Sequence, residues 1–474
     1  MTTNDNSFPD LAAAAARRVR CARAPVRARL AVPPDKSISH RAVLFGALAQ
    51  GPSRIANFLV AADTLSSVAF VRALGAAVEI RETGIATADV VVTGQGARET
   101  GASGSANASW NLGPVADLLD CGNSGTTMRL GLGILAALPV AAFLTGDASL
   151  RRRPMRRVLD PLGAMGATWM ASGGGTPPLA IRGPLTRPLP APYQVFSAQV
   201  KSALLLAGLC APAPVELTET ASCRDHTERA LVPMGARIER SGSLVVAYPG
   251  AHLHPVDIRV PGDFSSAAFL MAAAAIVPGS AIEIAGVGLN PTRTAFADAL
   301  AAMGARVLLT PDATSRPPES ASAPLCDQAT GPSSEPTGTI AVTAADLAGI
   351  ALGPAECAAM IDEIPLLAVL ATQAHGKTVA RGARELRYKE SDRIATISAG
   401  LEALGAEVTQ LEDGFEISGP QQLTGAAVNS FGDHRIAMCM AIAGLVAEGE
   451  TAIVDSGAVD VSFPGFFSVL EELR

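Results

Sequence analysis

The sequence predicts a mixed α/β protein of two domains that are assembled from six related units. A short pattern recurs along the chain: a helical segment ends in Leu or Met, Gly-Ala follows, and a β-branched strand begins. The glycines of this pattern are Gly75, Gly166, Gly235, Gly304 and Gly405. Glycine at the end of a helix adopts the left-handed conformation that stops it, and a period of roughly 70 residues indicates repeated supersecondary units. A chain of 474 residues is also too long for one core.

The composition agrees with this fold class and argues against two classes of function. Hydrophobic residues make up 49% of the chain and aromatic residues only 4%, with 45 glycines and 33 prolines, which is typical of turn-rich α/β packing by Ala, Leu and Val. Mean hydropathy is +0.30, but the apolar runs 269–277 and 436–446 are too short to span a bilayer and predict buried helices. A net charge of −7 argues against general nucleic-acid binding.

Two segments fall outside the repeated pattern. Residues 1–24 have no features of a secretion signal and predict a weakly structured extension, whereas 311–338 are rich in Pro, Ser, Thr and Glu and predict an inserted surface loop. Seven scattered cysteines without a C-x-x-C pair predict free thiols in a reducing cytoplasm. The six histidines do not cluster, so no metal site is expected.

The first segment whose side chains could bind a ligand or react is 34–41, where a strand-like stretch gives way to a predicted helix. Lys36 and Arg41 are five residues apart, so a helical turn could bring both cations and the Ser37 hydroxyl to one anion at the positive end of that helix. A cation, a hydroxyl and a guanidinium fork at a helix start suit a phosphate or a carboxylate. The alternative is an ordinary solvated cap, because Ser and Asp are common cap residues.

Three further segments in the first half offer polar groups. Residues 120–129 form a Gly-rich loop whose backbone N–H groups could approach an anion, although it lacks the Gly-Lys-Ser/Thr ending of a nucleotide P-loop. Residues 151–153 are three adjacent arginines that need water or an anion between them. Ser197 and Gln199 could bind a polyol or cap the helix that follows. Ordinary capped turns and solvated loops are the alternatives for this group.

The last third of the chain contains the densest set of ionisable side chains. Asp362 and Glu363 precede an apolar helix, residues 385–393 hold seven ionisable groups, and 433–435 precede another buried helix. Lys389 and Arg393 are four residues apart and would share a helix face. A solvated charged helix is the usual explanation of such a run, but the placement before apolar helices favours a functional site.

Taken in chain order, these segments resemble the enolpyruvyl transferase family. The motifs that carry the resemblance are 35–41 (DKSISHR), 122–127 (GNSGTT), 153–155 (RPM), 197–199 (SAQ), 224–228 (RDHTE), 389–393 (KESDR) and 433–435 (DHR). They span almost the whole chain outside 1–24 and 311–338. The resemblance implies an inside-out α/β barrel of two domains, each of three βαβαββ units. It places 25–34 and 261–474 in a first lobe and 35–260 in a second lobe.

The resemblance also implies a reaction and its residues. The expected reaction transfers the enolpyruvyl group of phosphoenolpyruvate to the 5-hydroxyl of shikimate 3-phosphate and releases phosphate, on the route to chorismate and the aromatic amino acids. The implied catalytic residues are Asp362, Glu390 and Lys36. The implied shikimate 3-phosphate site is Lys36, Ser37, Arg41, Ser197, Ala198, Gln199, Arg224, Asp362 and Lys389. The implied phosphoenolpyruvate site is Lys36, Asn123, Gly125, Thr126, Arg153, Gln199, Glu390, Arg393 and Arg435. No metal, organic cofactor, nucleic acid or membrane is expected, and the protein is expected to be a cytoplasmic monomer.

Departures from the family pattern place this chain closer to the more divergent bacterial branch. Ala198 stands where some members have Ser, and no Lys precedes Phe463-Pro464. Gly125 occupies a position where side-chain size is expected to affect the fit of glyphosate. Two rival functions remain: a related transferase acting on UDP-N-acetylglucosamine, expected to show Lys-Asn at 36–37 and a Cys within 146–154, and a non-catalytic binding protein, expected to lack the acid–base residues found here.

Overall fold

Two hydrophobic cores divide the chain. The computed structural model describes residues 16–99, 108–113, 118–221, 223–313 and 335–473. One core is formed by Val19, Val26, Val32 and residues between 264 and 473, and the other by residues between 38 and 260. We therefore infer a first lobe of 17–34 with 261–473 and a second lobe of 35–260, whereas the division that the resemblance implies begins the first lobe at residue 25.

The second lobe alternates helices and strands throughout its described residues. Its helices are α1 (Lys36–Gly46), α2 (Ala62–Ala73), α3 (Gly125–Ala136), α4 (Arg156–Ala164), α5 (Ala198–Gly208) and α6 (His226–Leu231). Its strands are β3 (Gln50–Leu59), β4 (Ala77–Gly84), β5 (Thr87–Gln95), β6 (Ala97–Glu99), β7 (Ala108–Trp110), β8 (Leu119–Asp120), β9 (Ala141–Thr145), β10 (Thr168–Ser172), β11 (Thr176–Arg182), β12 (Tyr193–Val195), β13 (Val215–Glu219), β14 (Ile238–Ser241), β15 (Leu244–Ala247) and β16 (Ile258–Arg259). A 3₁₀ turn covers Leu150–Arg152.

The first lobe is built in the same way, with strands β1 and β2 from the start of the described chain. Its strands are β1 (Arg17–Arg20), β2 (Arg27–Leu30), β17 (Ala281–Gly288), β18 (Arg306–Pro311), β19 (Thr337–Thr343), β20 (Ala351–Leu352), β21 (Gly376–Ala380), β22 (Thr409–Leu411), β23 (Gly414–Gly419), β24 (Ala427–Asn429) and β25 (Glu450–Val454). Its helices are α7 (Phe264–Ile276), α8 (Ala295–Ala302), α9 (Pro354–Ala359), α10 (Ile364–Gln373), α11 (Arg393–Ala403), α12 (His434–Gly444) and α13 (Phe466–Glu472). 3₁₀ turns cover Arg384–Tyr388 and Ser456–Val461.

Six sheets in the described residues repeat one pattern, which confirms the prediction of six related units. Each sheet has a short strand parallel to a second strand, which then pairs antiparallel with a third strand. The sheets are β16-β3-β5-β4, β8-β9-β11-β10, β12-β13-β15-β14, β2-β17-β19-β18, β20-β21-β23-β22 and β24-β25-β1. Strands such as β11 and β13 bury alternate residues, whereas every residue of α7 is buried. Helices therefore form the interior and sheets the outer layer, the inside-out arrangement that the resemblance implies.

The sixth sheet corrects the expected N-terminal extension. Arg17–Arg20 form β1, which pairs antiparallel with β25 through the partners Arg17↔Ile453 and Arg20↔Glu450. Val19 points into the first core, and Glu450 binds Arg18 and Arg20. The expectation of weak structure is therefore wrong for 17–20, because these residues complete the last unit. Residues 1–15 lie outside the described residues.

The expected surface loop is shorter than its composition suggests. Pro311 ends β18 and Thr337 lies at the start of β19, so both ends of 311–338 belong to paired strands. Residues 314–334 lie outside the described part of the chain. The expected buried helices at 269–277 and 436–446 are confirmed by α7 and α12. Among the described helices, none has both the length and the apolar character needed to cross a membrane.

The repeated Gly-Ala motif ends helices as predicted. All five glycines have positive φ, between +90° and +109°. After α2, Ala76 N–H donates to the carbonyl of Val71, which closes the helix end before β4 begins. The described cysteines are all free thiols, and Cys326 lies outside the described residues.

The two crossings between the lobes lie side by side. Asp35 N–H donates to the carbonyl of Pro261 and Asp263 N–H donates to the carbonyl of Pro33, each at 2.8 Å. Asp35 and Asp263 are also the N-caps of α1 and α7, where their side chains accept from backbone N–H groups. The crossing that was expected near Asp35 therefore places the N-terminal ends of two buried helices at the boundary between the lobes.

A buried ion cluster stabilises the second lobe and gives a prediction for stability. Lys201 Nζ lies 2.6 Å from Glu219 and 2.5 Å from Glu228, and all three side chains are at most 2% exposed. Lys201→Met should lower the free energy of unfolding by about 3–5 kcal/mol, because it leaves two carboxylates buried beside Arg240 alone. Urea unfolding would measure the loss.

The matched control for this prediction is an ion pair on the surface. Lys377 pairs with Glu416 in the first lobe, but its side chain is 55% exposed. Water already screens that pair, so Lys377→Met should change stability much less. Equal losses in the two variants would contradict the assigned importance of the buried cluster.

Candidate active site

A cleft of about 190 Å³ lies between the lobes and receives residues from both. It contains nearly all of the residues that were expected to bind or react. The expected residues that line it are Lys36, Ser37, Gly125, Thr126, Arg153, Ser197, Ala198, Gln199, Arg224, Asp362, Lys389, Glu390, Arg393 and Arg435. The sequence segments that carry them are more than 300 residues apart in places, and the fold brings them together.

The start of α1 brings Lys36 into the cleft. Asp35 caps the helix by accepting from the N–H of Ile38 at 2.8 Å, which fixes the first turn. Lys36 Nζ lies 3.1 Å from Asp63 on α2, and the lysine side chain is 19% exposed. Asp63 was not anticipated, because a single acid near the start of a helix usually acts as an N-terminal charge partner. The ammonium is thus oriented before any substrate arrives.

A group of arginines surrounds the N-terminal end of α3. Ser124 caps this helix and Gly125 is its first residue. A Cβ built on Gly125 would lie 2.9 Å from Nη1 of Arg129 and 3.1 Å from Nη1 of Arg153. Burial and the neighbouring charges of Arg157 and Arg153 lower the pKa of Arg129 to about 9. Guanidinium groups packed around a helix start form a site for a compact anion.

Gln199 links this arginine group to the start of α5. It accepts from Nη1 of Arg129 through Oε1 and donates from Nε2 to Thr126 at 3.0 Å. Ser197 and Ala198, which begin α5, line the cleft beside it. The polar loop before α5 therefore forms part of the site and is more than a helix cap.

Asp362 is surrounded by cations of the cleft. Its carboxylate lies 2.6 Å from Arg224, 3.3 Å from both Lys389 and Arg393, and 3.9 Å from Arg435. Burial alone would raise the pKa of Asp362, but these four charges outweigh it and hold its pKa well below its usual range. Arg224 comes from the second lobe, so this contact also joins the lobes.

Glu390 has a similar environment on the same side of the cleft. It lies 2.6 Å from Arg393 and 3.4 Å from Arg153 of the second lobe. Burial opposes ionisation, but Arg393 and Arg153 hold the pKa of Glu390 well below its usual range, and the charge of Lys36 contributes. Arg393 itself is held by Asp433, the N-cap of α12, at 2.8 Å. Both carboxylates are therefore ionised in this ligand-free arrangement.

His434 completes the cluster near Lys36. Burial, together with the charge of Lys36, lowers the pKa of His434 to about 3, so the imidazole is neutral near pH 7. His434 lines the cleft together with Lys36 and Glu390. The motif 433–435 was recognised from the sequence, but only its Arg was expected to line the cleft.

Two of the expected site residues do not line the cleft. The guanidinium of Arg41, on α1, donates to the carbonyl of Ser37, to Thr227 and to Ser202 at 2.9–3.0 Å. Asn123 accepts from Nη2 of Arg153 at 3.0 Å and acts on the cleft through that arginine. The Arg41 guanidinium is therefore bound to protein groups, and its assignment to shikimate 3-phosphate stays a prediction.

Several cleft residues were missed by the sequence reasoning. Arg129, Arg157, Arg293 and Glu385 line the cleft, and Arg157 bridges the lobes to Glu385 at 2.6 Å. Arg129 lies within the Gly-rich segment singled out above, so its proximity to that loop was an available signal. Arg293 has no such signal, because it follows an ordinary turn and reaches the cleft by binding Asp263 at 3.2 Å.

The charge balance of the cleft favours anionic ligands. Among the described residues, nine Lys or Arg side chains and five Asp or Glu side chains line it. The surplus of cations, held in a partly buried space, can compensate the phosphate and carboxylate groups of two small molecules. Two ionised carboxylates and a lysine in the same space provide groups for proton transfer.

This combination of an inside-out, two-lobed fold and an arginine-rich cleft defines an enolpyruvyl transferase. The enolpyruvyl transferase NikO of Streptomyces tendae shares the fold, with a TM-score of 0.69 at 16% identity over 96% of each chain. The sequence model of the EPSP synthase (3-phosphoshikimate 1-carboxyvinyltransferase) family matches residues 21–470. The chain belongs to this family of enzymes.

Individual relatives agree with this assignment over nearly the full length. The chain is 47% identical over 444 residues to a protein of Desulforudis audaxviator named 3-phosphoshikimate 1-carboxyvinyltransferase, covering 94% of this chain and 96% of that protein. An EPSP synthase structure from Acinetobacter baumannii superposes with a TM-score of 0.77 at 35% identity, covering 96% and 97% of the two chains. The fold class and the family resemblance of the sequence are thus confirmed.

Proposed function

We propose that this protein transfers the enolpyruvyl group of phosphoenolpyruvate to the 5-hydroxyl of shikimate 3-phosphate. The products are 5-enolpyruvylshikimate 3-phosphate and inorganic phosphate, on the route to chorismate and the aromatic amino acids. The observation that carries the proposal is the meeting of Lys36, Asp362 and Glu390 in one cation-lined cleft between the lobes. The family assignment supports the same reaction.

The geometry supports separate positions for the two substrates. Phosphoenolpyruvate fits the arginine group at the start of α3, between Arg153 and the first-lobe residues Arg393 and Arg435. Shikimate 3-phosphate fits the start of α5, with Ser197 and Gln199 on one side and Lys389 on the other. Lys36 lines the same cleft, and we assign it to both substrates.

The proton transfers follow from this placement. Asp362 accepts the proton of the 5-hydroxyl as its oxygen bonds to C2 of phosphoenolpyruvate, while Lys36 and Glu390 supply a proton to the methylene carbon. The C–O bond to phosphate then breaks, and the group that protonated the methylene carbon takes a proton back from it as the enol ether forms. Because Glu390 is ionised without substrates, its donor role requires phosphoenolpyruvate to occupy Arg153 and Arg393 in its place.

The two rival functions make different predictions. Transfer to UDP-N-acetylglucosamine was expected to accompany Lys-Asn at 36–37, where this chain has Lys36-Ser37. A non-catalytic protein was expected to lose the acid–base residues, which here are gathered in the cleft. The deciding experiment measures phosphate release from phosphoenolpyruvate with shikimate 3-phosphate and, separately, with UDP-N-acetylglucosamine. Activity with neither acceptor would overturn the proposed function. A monomeric state and a cytoplasmic location remain predictions.

Gly125→Ala should impair phosphoenolpyruvate binding selectively. The new Cβ would press against the guanidinium groups of Arg129 and Arg153, which can move because they end flexible side chains. We expect a folded enzyme whose KM for phosphoenolpyruvate rises several-fold while its KM for shikimate 3-phosphate stays nearly constant. Steady-state kinetics with each substrate varied would measure this difference.

Gly173→Ala is the control for added volume alone. A Cβ built on Gly173 meets nothing within 4 Å, so the kinetics of Gly173→Ala should match those of the wild type. An unchanged KM for phosphoenolpyruvate in Gly125→Ala would contradict the placement of that substrate at the start of α3.

A further inference from the structure

A buried chain of hydrogen bonds joins three helices, α1, α2 and α3, that carry residues of the cleft. His40 on α1 lies 2.8 Å from Ser67 on α2, through Nδ1 and Oγ. Ser67 Oγ lies 2.7 Å from Thr127 Oγ1 on α3, which donates to Ser124 Oγ at 2.7 Å. His40, Ser67 and Thr127 are at most 1% exposed. None of these four residues belongs to the expected substrate sites.

The direction of each hydrogen bond in this chain is determined. Thr127 uses its hydroxyl proton on Ser124, so it must accept from Ser67. Ser67 then has no proton left for His40, so Nδ1 of His40 must be the donor. Nε2 of His40 is buried and has no hydrogen-bond partner among the described residues. The chain therefore selects the imidazole tautomer with the proton on Nδ1.

The chain lies one helical turn below the groups that face the substrates. On α1, Lys36 precedes His40 by four residues, and on α2, Asp63 precedes Ser67 by four. The pair Lys36–Asp63, at 3.1 Å, thus lies directly above the pair His40–Ser67. On α3, Ser124 and Thr127 flank Gly125 and Thr126, which line the cleft. The same contacts that fix the three helices therefore fix the relative positions of Lys36 and the N-terminal end of α3.

We propose that His40 is a positioning residue that sets the distance between Lys36 and the anion site at the start of α3. It acts through Ser67 and Thr127 and contacts no substrate. This inference deepens the proposed function, on which it rests. A charge on His40 is not needed, and burial, reinforced by the nearby charges of Lys36 and Arg41, lowers its pKa to about 3.

The two amide substitutions of His40 separate the role of Nδ1 from that of Nε2. In His40→Asn the amide nitrogen can occupy the position of Nδ1 and still donate to Ser67, whereas in His40→Gln it extends towards the position of Nε2. We expect His40→Gln to raise the KM for phosphoenolpyruvate and to lower kcat/KM on the order of 10- to 100-fold, the range produced by displacements of about 1 Å. His40→Asn should retain most of the activity.

The substrate dependence distinguishes positioning from a general loss of structure. Of the residues assigned to shikimate 3-phosphate, Lys36, Ser37 and Arg41 lie on α1, but those on α5 and in the first lobe do not contact the hydrogen-bond chain. The KM for shikimate 3-phosphate should therefore change less than the KM for phosphoenolpyruvate. Ser67→Ala should show the same preference, and adding it to His40→Gln should cause little further loss, because both break the same chain. Ser39→Ala is the matched control, because Ser39 also lies on α1 and its Oγ accepts a buried hydrogen bond from the N–H of Leu59 on β3.

The outcomes separate failure of this inference from failure of the proposed function. A wild-type enzyme without activity would overturn the function, whereas an active wild type with equal activities in His40→Asn and His40→Gln would overturn the inference. Equal increases in KM for the two substrates, or the same selectivity in Ser39→Ala, would also overturn it. Independently of activity, ¹H–¹⁵N spectra of histidine-labelled protein should show one neutral imidazole protonated at Nδ1 that His40→Gln removes. Persistence of that signal would contradict the hydrogen-bond directions.

Discussion

Asp362→Ala is expected to lower kcat on the order of 10²-fold or more while the KM values of both substrates change little. The carboxylate is the acceptor proposed for the proton of the 5-hydroxyl, whereas Glu390, which shares Arg393 with it, is assigned to the methylene carbon. The remaining groups that bind substrate anions stay in place, because Arg393 is held separately by Asp433 and Glu390. Steady-state kinetics would measure kcat, and binding of shikimate 3-phosphate by calorimetry would show that the site is intact.

Because the pKa of Asp362 is low, we expect its strength as a base to depend on bound substrate. In the ligand-free structure Arg224, Lys389, Arg393 and Arg435 stabilise its negative charge, which makes it a weak base. Substrate phosphate and carboxylate groups would share these cations and so raise its basicity at the moment when a base is needed. Asp362→Asn should therefore lose turnover as Asp362→Ala does, although it preserves the size of the side chain and one acceptor oxygen.

An exposed acid of the same lobe provides the control for charge removal. Asp346 has an exposed side chain, and Asp346→Ala should keep full activity. Full turnover in Asp362→Ala would refute the assigned role of this carboxylate. A loss of substrate binding in proportion to the loss of kcat would instead assign Asp362 to binding.

The repeated units could be predicted because their signal is local. Each Gly-Ala motif marks a helix end through its own backbone geometry, and five copies are visible without any knowledge of the fold. Strand β1 could not be predicted, because its pairing with β25 joins residues 17–20 to 450–453. A four-residue strand at such a distance is stabilised by a partner that the local pattern does not reveal.

The sequence identified most of the residues that line the cleft, but it could not give the direction in which each side chain points. Arg41 and Arg129 are both arginines in the first two turns of buried helices. The guanidinium of Arg41 donates to Thr227 and Ser202 on other helices, whereas that of Arg129 donates to Gln199 in the cleft. The choice between these directions depends on partners distant in sequence. Spacing along one helix cannot supply it.

Lys36→Met is expected to weaken both substrates and to lower activity more than any other single change at the start of α1. Hydrogen bonds to charged groups contribute about 1.5–3 kcal/mol each, so the loss of one contact to each substrate corresponds to roughly 10²- to 10⁴-fold. The loss of a proton donor would add to this effect. Kinetics with each substrate varied would test the role as a bridge, and an increased KM for only one substrate would show that Lys36 contacts that substrate alone.

Asp63 allows the effect on activity to be separated from an effect on folding. Without Lys36, the Asp63 carboxylate stays buried and loses its cation, and its Oδ1 already has no hydrogen-bond partner among the described residues. Lys36→Met should therefore also lower the melting temperature, and adding Asp63→Asn should restore it by removing the unpaired charge. The double variant should remain inactive, because the Asn amide removes the unpaired charge at position 63 but does not replace the ammonium group of Lys36. Recovery of activity together with stability would show that Lys36 supports the fold and has no direct part in the reaction.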